Sequence, residues 1–169
     1  VEGALARVQG EAGIIPKGAA AFIDRASREV QIDPAGLADA TATNGVVVPG
    51  LLAAFRKAAE APDMMQYVHW GATSQDIMDT GLMLRMKRLF ELFATRLDAI
   101  LDHLGELADA RADMPMAGRT YGQVATPTTF GAVVTAWGRP LLRWRDQMAG
   151  LRDECLCVSL SGAAGTSAA

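Results

Sequence analysis

The chain has 169 residues, of which 50% are hydrophobic and 21% charged, and its net charge is -3. This balance lacks the basic surface that nucleic-acid binding requires, and no uncharged apolar run reaches the roughly 18 residues of a membrane span. We therefore expect a soluble protein that binds neither nucleic acid nor membranes and whose partner is a small molecule or another protein.

The N-terminal part of the chain carries short helical patterns separated by turn residues. Apolar residues recur at steps of three and four, and Asp33-Pro34 is a typical helix start. We predict helices over residues 1–12, 16–28, 34–42 and 49–59. Together they indicate a small N-terminal helical domain, which we bound at residues 1–72.

The longest uninterrupted helical pattern runs from Ser74 to about Arg111. Apolar residues follow one another in steps of three and four from Leu82 to Leu107 without a proline. A helix of this length extends about 55 Å at roughly 1.5 Å per residue, which exceeds what the core of a small domain needs. Because the apolar stripe is wider than a two-helix seam, we expect this helix to pack on more than one side in a bundle.

A polar loop over residues 118–129 leads into a second long helix, predicted from about Thr128 to Val158. Pro140 lies within this helix, where proline removes a backbone donor and usually causes a kink. The chain shows no alternating pattern typical of strands. We therefore predict an all-α fold in which residues 73–169 form a long-helix bundle domain.

The start of the first long helix has the composition of an anion-binding site. Thr73 and Asp76 fit a capping arrangement in which the Thr73 hydroxyl accepts a hydrogen bond from free backbone N–H groups. Such a helix end offers donors and a positive dipole to a carboxylate, and His69 nearby can move a proton near neutral pH. Most caps of this type are only caps, so a purely structural role is the alternative.

The loop over residues 118–129 is a second polar stretch with binding chemistry. Arg119 can hold a carboxylate with two hydrogen bonds, and Thr120 and Gln123 add neutral donors. The sequence contains no phosphate loop, dinucleotide fingerprint or metal motif, so we expect no cofactor and no metal. Two such stretches beside long helices favour an enzyme site for an anionic substrate.

These two polar stretches carry a resemblance to the fumarase/aspartase superfamily. The first block is His69-Trp70-Gly71-Ala72-Thr73-Ser74-Gln75-Asp76 with Asp79-Thr80. The second block is Gly118-Arg119-Thr120, Gly122-Gln123, Ala125, Pro127 and Phe130-Gly131. The blocks lie at the spacing that the family shows, and the resemblance covers essentially the whole chain.

The resemblance implies a homotetramer with a central bundle of long helices and active sites drawn from three subunits. It also implies a carbanion route, in which hydrogen-bond donors hold an enediolate next to a carbon that exchanges a proton. By the same resemblance, His69 contacts or protonates the substrate. The substrate-binding side chains are expected to be Thr73, Ser74, Arg119, Thr120, Tyr121 and Gln123.

Tyr121 distinguishes two branches of this superfamily. Its lyases carry a histidine there as general acid, whereas lactonising members are expected to carry an aromatic residue. Together with the small-residue stretch at 161–166, Tyr121 favours the lactonising branch. That branch implies cycloisomerisation of 3-carboxy-cis,cis-muconate to a lactone in protocatechuate (β-ketoadipate) catabolism. An adenylosuccinate lyase or another fumarate-releasing lyase, and a helical scaffold without catalysis, are the alternatives.

The chain begins at Val1 inside a helical pattern and stops in a small-residue loop, so we expect a fragment at both ends. The family's third block, a flexible loop that supplies the catalytic base, is not in this sequence, so we expect these residues alone to be inactive. Cys155 and Cys157 form a C-x-C pair without neighbouring histidines, which is a poor zinc site. We expect reduced thiols and a cytoplasmic location.

Overall fold

Seven α-helices and one β-hairpin form in residues 1–167, the part of the chain that this computed structural model describes. The helices are α1 (Glu2–Glu11), α2 (Lys17–Glu29), α3 (Ala38–Asn44), α4 (Val48–Ala59), α5 (Pro62–Met65), α6 (Ser74–Ala110) and α7 (Phe130–Cys155). The strands are β1 (Pro115–Thr120) and β2 (Gln123–Thr129), and Pro34–Leu37 forms a 3-10 helix. The predicted all-helical class is confirmed, with a two-stranded hairpin as an addition to it.

The chain divides into two structural units. The first contains Val1–Met83 and the segment from Cys157 onward, and the second contains Leu84–Leu156. The division falls within α6, whereas the predicted domains are residues 1–72 and 73–169; that domain boundary stays a prediction. No helix of the described residues is long and apolar enough to cross a membrane.

The first unit is built around a core to which α1, α2, α4, α5 and the start of α6 contribute. Its buried side chains include Ile23, Val48, Phe55, Met65 and Ile77. The predicted first, second and fourth helices are confirmed to within two residues at each end. The third begins as a 3-10 turn and continues to Asn44, where left-handed Gly45 ends it.

The second unit packs the later part of α6 against α7. Val134 on α7 and Phe90 on α6 are buried, and Arg145 forms an ion pair with Asp98 at 2.7 Å. The predicted span of α6 is confirmed to within one residue. Many large apolar side chains of both helices nevertheless remain exposed within the described chain. They include Leu84, Leu92, Phe93, Ile100, Trp137, Leu142 and Trp144.

The segment before α7 is a β-hairpin, so the predicted loop over residues 118–129 was wrong. β1 and β2 are antiparallel, with Thr120 opposite Gln123 and the two-residue turn Tyr121-Gly122 between them. Both turn residues have positive φ, 46° and 75°, as in a type I′ turn. The strands gave no signal in the sequence because most of their residues are exposed on both faces, so no apolar alternation marks them.

The second long helix is shorter than predicted at both ends. Strand β2 occupies residues up to Thr129, whose side-chain oxygen accepts a hydrogen bond from the Ala132 N–H at 3.2 Å. The helix therefore begins at Phe130 rather than Thr128, and it ends at Cys155 rather than Val158. The three residues after it have left the helix and lead into a segment that contacts the start of α6.

Candidate active site

The carboxylate of Asp76 anchors the start of α6, and this residue is buried, with 1% of its surface exposed. Its oxygens accept hydrogen bonds from the backbone N–H groups of Thr73, Ser161 and Gly162, each at 3.0 Å. The hydroxyls of Ser159 and Ser161 donate two more at 3.3 Å. Asp76 therefore ties the start of the helix to residues 159–162, which are distant in the sequence.

These contacts determine the charge state of Asp76. Burial raises the pKa of this carboxyl, but the hydrogen bonds from the backbone N–H groups of Ser161, Thr73 and Gly162 outweigh burial. The resulting pKa is lowered from 3.8 to about 2. Asp76 is thus an anion at neutral pH, with its lone pairs already used by the protein.

Thr80 makes a second tie one helical turn after Asp76. Its hydroxyl donates to the Ser159 carbonyl and accepts from the Ser159 N–H, both at 3.1 Å. Because residues four apart lie on one face of a helix, Asp76 and Thr80 face the same segment. Sequence reasoning placed Asp76 in a cap with Thr73 and missed this anchor; the available signal was the serine-rich and glycine-bearing stretch at 159–162.

Only one of the two bonds of the capping arrangement forms at the start of α6. The Asp76 carboxylate accepts from the Thr73 N–H, and the Thr73 hydroxyl makes none of the predicted bonds to backbone N–H groups within residues 1–167. The hydroxyls of Thr73 and Ser74 are half-buried and, in the described chain, have no hydrogen-bond partner. Both are therefore available to a ligand.

His69 lies in the turn that leads to α6. Its backbone is left-handed, with φ at 68°, which is uncommon for a residue with a side chain. The Nδ1 atom is 2.7 Å from Oε1 of Glu2 on α1, and the two side chains are 16% and 11% exposed. A carboxylate only accepts hydrogen bonds, so Nδ1 carries the proton and a neutral ring presents Nε2 as an acceptor. His69, Thr73 and Ser74 thus belong to the same junction of turn and helix.

The other four predicted site residues lie together at the tip of the hairpin, in the second unit. Tyr121 occupies the turn and is fully exposed, and Thr120 and Gln123 flank it. The Arg119 guanidinium donates a hydrogen bond of 3.4 Å to the Gly122 carbonyl and has no ion pair among the described residues. The tip therefore presents one unpaired cation and several neutral polar groups.

Two glycines of the second block shape the hairpin and its junction with α6. Gly118 lies at a β-bulge, where a side chain would collide with the Thr126 carbonyl oxygen. Gly131 packs on the end of α6, and an added Cβ would lie 2.6 Å from the Ala108 carbonyl oxygen and 2.7 Å from the Ala112 Cα. The Gly131 N–H donates to the Arg111 carbonyl at 3.0 Å. The glycines thus permit the close backbone contacts of the bulge and of the start of α7 with the end of α6.

Each unit by itself presents groups that can bind a carboxylate. Hydroxyl donors and an imidazole lie in the first unit, and a guanidinium with further donors lies in the second. Among residues 1–167, no cluster of three His, Cys, Asp or Glu side chains has the geometry of a metal site.

Comparison with known proteins finds one matching family and several related enzymes. A family model described as a lyase matches residues 2–169. The 3-carboxy-cis,cis-muconate cycloisomerase of Pseudomonas putida is 41% identical over 170 residues, covering 99% of this chain and 40% of that protein. The adenylosuccinate lyase of Methanothermobacter thermautotrophicus is 35% identical over 170 residues, covering 100% of this chain and 37% of that protein.

The solved structures agree with these relatives. The crystal structure of the Pseudomonas putida 3-carboxy-cis,cis-muconate lactonizing enzyme superposes with a TM-score of 0.94 at 38% identity, covering 99% of this chain and 38% of that one. The chain thus spans about 40% of the length of the relatives it matches. With a family match over nearly its whole length, the chain belongs to this lyase family of the fumarase/aspartase superfamily.

Proposed function

We propose that the full-length protein is a cycloisomerase that converts 3-carboxy-cis,cis-muconate to a carboxymuconolactone in protocatechuate catabolism. The similarity to the Pseudomonas putida enzyme supports this substrate. The structural observation that carries the proposal is Tyr121, fully exposed at the hairpin tip beside the unpaired Arg119. By the family resemblance, an eliminating lyase needs a histidine at this position.

In the proposed reaction, one carboxylate oxygen of the substrate adds to a carbon of a double bond and forms the ring C–O bond. The electron pair of that double bond moves toward the neighbouring carboxylate, giving an enediolate. The carbon between the new C–O bond and this carboxylate then takes up a proton, so lactone formation consumes one proton. Donors aimed at the enediolate oxygens lower the barrier because charge accumulates there in the transition state.

The free groups of the two stretches fit the steps of this reaction. We assign the Thr73 and Ser74 hydroxyls, at the positive end of α6, to the carboxylate that becomes the enediolate. Arg119 binds a second carboxylate, with Thr120, Tyr121 and Gln123 around it. His69 contacts or protonates the substrate through Nε2.

We further propose that the protein is a cytoplasmic homotetramer with active sites shared between subunits. The exposed apolar side chains of α6 and α7 support this assembly, because apolar stripes of that extent require partners in water. Light scattering of the full-length protein tests it: four copies per particle are expected, and a monomer would contradict shared sites.

The direct test of the activity uses the full-length protein with 3-carboxy-cis,cis-muconate. Loss of conjugated-diene absorbance is expected, and Thr73→Ala and Ser74→Ala should each lower turnover by about 100-fold, as for the loss of an oxyanion donor. Thr95→Ala is the matched control, since Thr95 is an exposed threonine on the same helix that bonds only the Glu91 carbonyl. Wild-type turnover in both site variants would contradict the proposed carboxylate site.

The second candidate is a lyase that releases fumarate from adenylosuccinate or a related adduct. The adenylosuccinate lyase among the relatives favours it, although Tyr121 replaces the expected general acid. Fumarate release from adenylosuccinate, together with unchanged diene absorbance of the muconate, would establish this candidate instead of the cycloisomerase.

A further inference from the structure

Helix α1 contacts the turn before α6 through two polar side chains on one face. Glu2 Oε1 lies 2.7 Å from His69 Nδ1, and Gln9 Nε2 donates to the Trp70 carbonyl at 2.7 Å. Residues seven apart return to the same face of a helix, so the two contacts lie two turns apart along α1. Neighbouring residues of one turn are therefore held by the same helix through separate side chains.

The Glu2–His69 contact is not what stability alone would favour. The second oxygen of the carboxylate, Glu2 Oε2, is buried and has no hydrogen-bond partner among the described residues. A buried acceptor without a donor lowers the stability of the folded state, and the left-handed backbone of His69 lowers it further. Two unfavourable features thus converge on His69, in the turn that precedes Thr73 and Ser74 in the chain. Such convergence is typical of a residue held for its chemistry.

We propose that Glu2 is a positioning residue for His69. Because Glu2 accepts a hydrogen bond from Nδ1–H, it fixes the orientation of the ring and keeps the proton on Nδ1. Nε2 is then the ring nitrogen that is left to contact a ligand. When Nε2 also carries a proton, Glu2 still accepts from Nδ1–H at 2.7 Å and keeps the ring in the same orientation. That Nε2 proton passes to the substrate carbon beside the carboxylate, Nδ1 keeps its own proton, and solvent restores the Nε2 proton. This inference rests on the proposed function.

The test compares Glu2→Ala, Glu2→Gln and Gln9→Ala in the full-length protein, with kcat and KM measured separately. Glu2→Ala should lower kcat by about 10- to 100-fold, as for the loss of an orienting partner, with KM changed less than about threefold. Glu2→Gln keeps an acceptor of the same shape, so it should recover part of the lost kcat. Gln9→Ala removes a comparable bond from the adjacent Trp70 and should leave kcat as in the wild type.

A merely structural role predicts a different pattern. Glu2→Ala and Gln9→Ala would then lower the melting temperature alike, and the kcat of the folded enzyme would stay within about twofold of wild type. That result, or an equal loss of kcat in both variants, would overturn the proposal. If Glu2→Ala fails to fold, the isosteric Glu2→Gln decides: no loss of kcat in that variant also overturns it.

One further variant separates this inference from the proposed function. His69→Ala should lose at least as much kcat as Glu2→Ala. A slow His69→Ala beside a fully active Glu2→Ala would overturn the positioning role alone. A wild-type protein that does not consume the muconate, or a His69→Ala enzyme with normal kcat, would overturn the assigned chemistry and the positioning role with it.

Discussion

The start of α6 and the tip of the hairpin carry similar polar side chains, yet the chain holds them in different ways. At the start of α6, five hydrogen bonds converge on Asp76, and His69 is paired with Glu2. At the tip, the Arg119 guanidinium donates one hydrogen bond, of 3.4 Å, to the Gly122 carbonyl, and the strands are held by backbone pairing.

This difference indicates two roles in one proposed site. The first region is preorganised by its own unit, so its hydroxyls and imidazole have fixed positions before a ligand binds. The second presents an unpaired cation and exposed donors, which gain partners only from a ligand or from another part of the assembled protein. Substitution of the bonded anchor Asp76 in the first region should therefore lower stability, whereas substitutions in the second region should affect function alone.

The largest effect on stability is expected from Asp76→Ala. It leaves the buried N–H groups of Ser161 and Gly162 without an acceptor, and each such loss costs about 1–3 kcal/mol. We expect the free energy of unfolding to fall by about 3 kcal/mol, measured by urea denaturation. Asp79→Ala, one turn away and bonded only to Gln75, is the control and should cost less than about 0.5 kcal/mol. Equal losses would refute the anchor.

Arg119→Ala should show the opposite behaviour. Its guanidinium has no ion pair in the described chain, so the melting temperature should stay near that of the wild type. Loss of a charged donor to a substrate carboxylate should lower kcat/KM by about 100-fold. Arg25→Ala removes an exposed arginine that pairs with Glu29 at 3.8 Å, and it should leave kcat/KM unchanged. A large stability loss in Arg119→Ala would erase the contrast between the two regions.

Gly131→Ala tests how the start of α7 packs on the end of α6. The new Cβ would lie 2.6–2.9 Å from backbone atoms, which cannot move cheaply, so we expect a loss of about 1–3 kcal/mol in unfolding free energy. Gly105→Ala is the matched change within α6, where no heavy atom lies within 4 Å of the new Cβ. It should stabilise the helix by about 0.5–1 kcal/mol. Thermal or urea unfolding should therefore show a lower unfolding free energy for Gly131→Ala and a higher one for Gly105→Ala.

The smallest effect is the pH dependence of the Asp76 anchor. Its pKa falls from 3.8 to about 2 on folding, so its contribution to stability is present above pH 3.8 and is lost as the pH falls toward 2. The advantage of the wild type over Asp76→Asn should therefore shrink by about 1 kcal/mol between pH 5 and pH 3, measured by urea denaturation. A constant difference over this range would show that the charge of Asp76 is not involved.

The sequence predicted what local periodicity encodes. The helices α1, α2 and α4 and the span of α6 follow from apolar spacing and from turn residues at their ends. The hairpin could not be predicted, because its exposed strands have no buried face to mark them. The partners of Asp76 and His69 could not be predicted either, since they lie 83–86 and 67 residues away in the chain. Such contacts depend on tertiary packing, so local sequence patterns do not predict them.

The roles of the candidate site residues come from the family resemblance rather than from periodicity. The structure adds what is free and what is occupied: the Thr73 and Ser74 hydroxyls are unpaired within the described residues, whereas Asp76 is fully used. That distinction lies beyond any sequence pattern, because a capping motif looks the same whichever side chain accepts the bond.

The most direct measurement is a crystal structure of the full-length His69→Ala protein with 3-carboxy-cis,cis-muconate bound. We predict one substrate carboxylate within about 3 Å of the Thr73 and Ser74 hydroxyls and a second one paired with Arg119 of the same or another subunit. A ligand whose carboxylates contact neither the start of α6 nor the hairpin tip would contradict the proposed site.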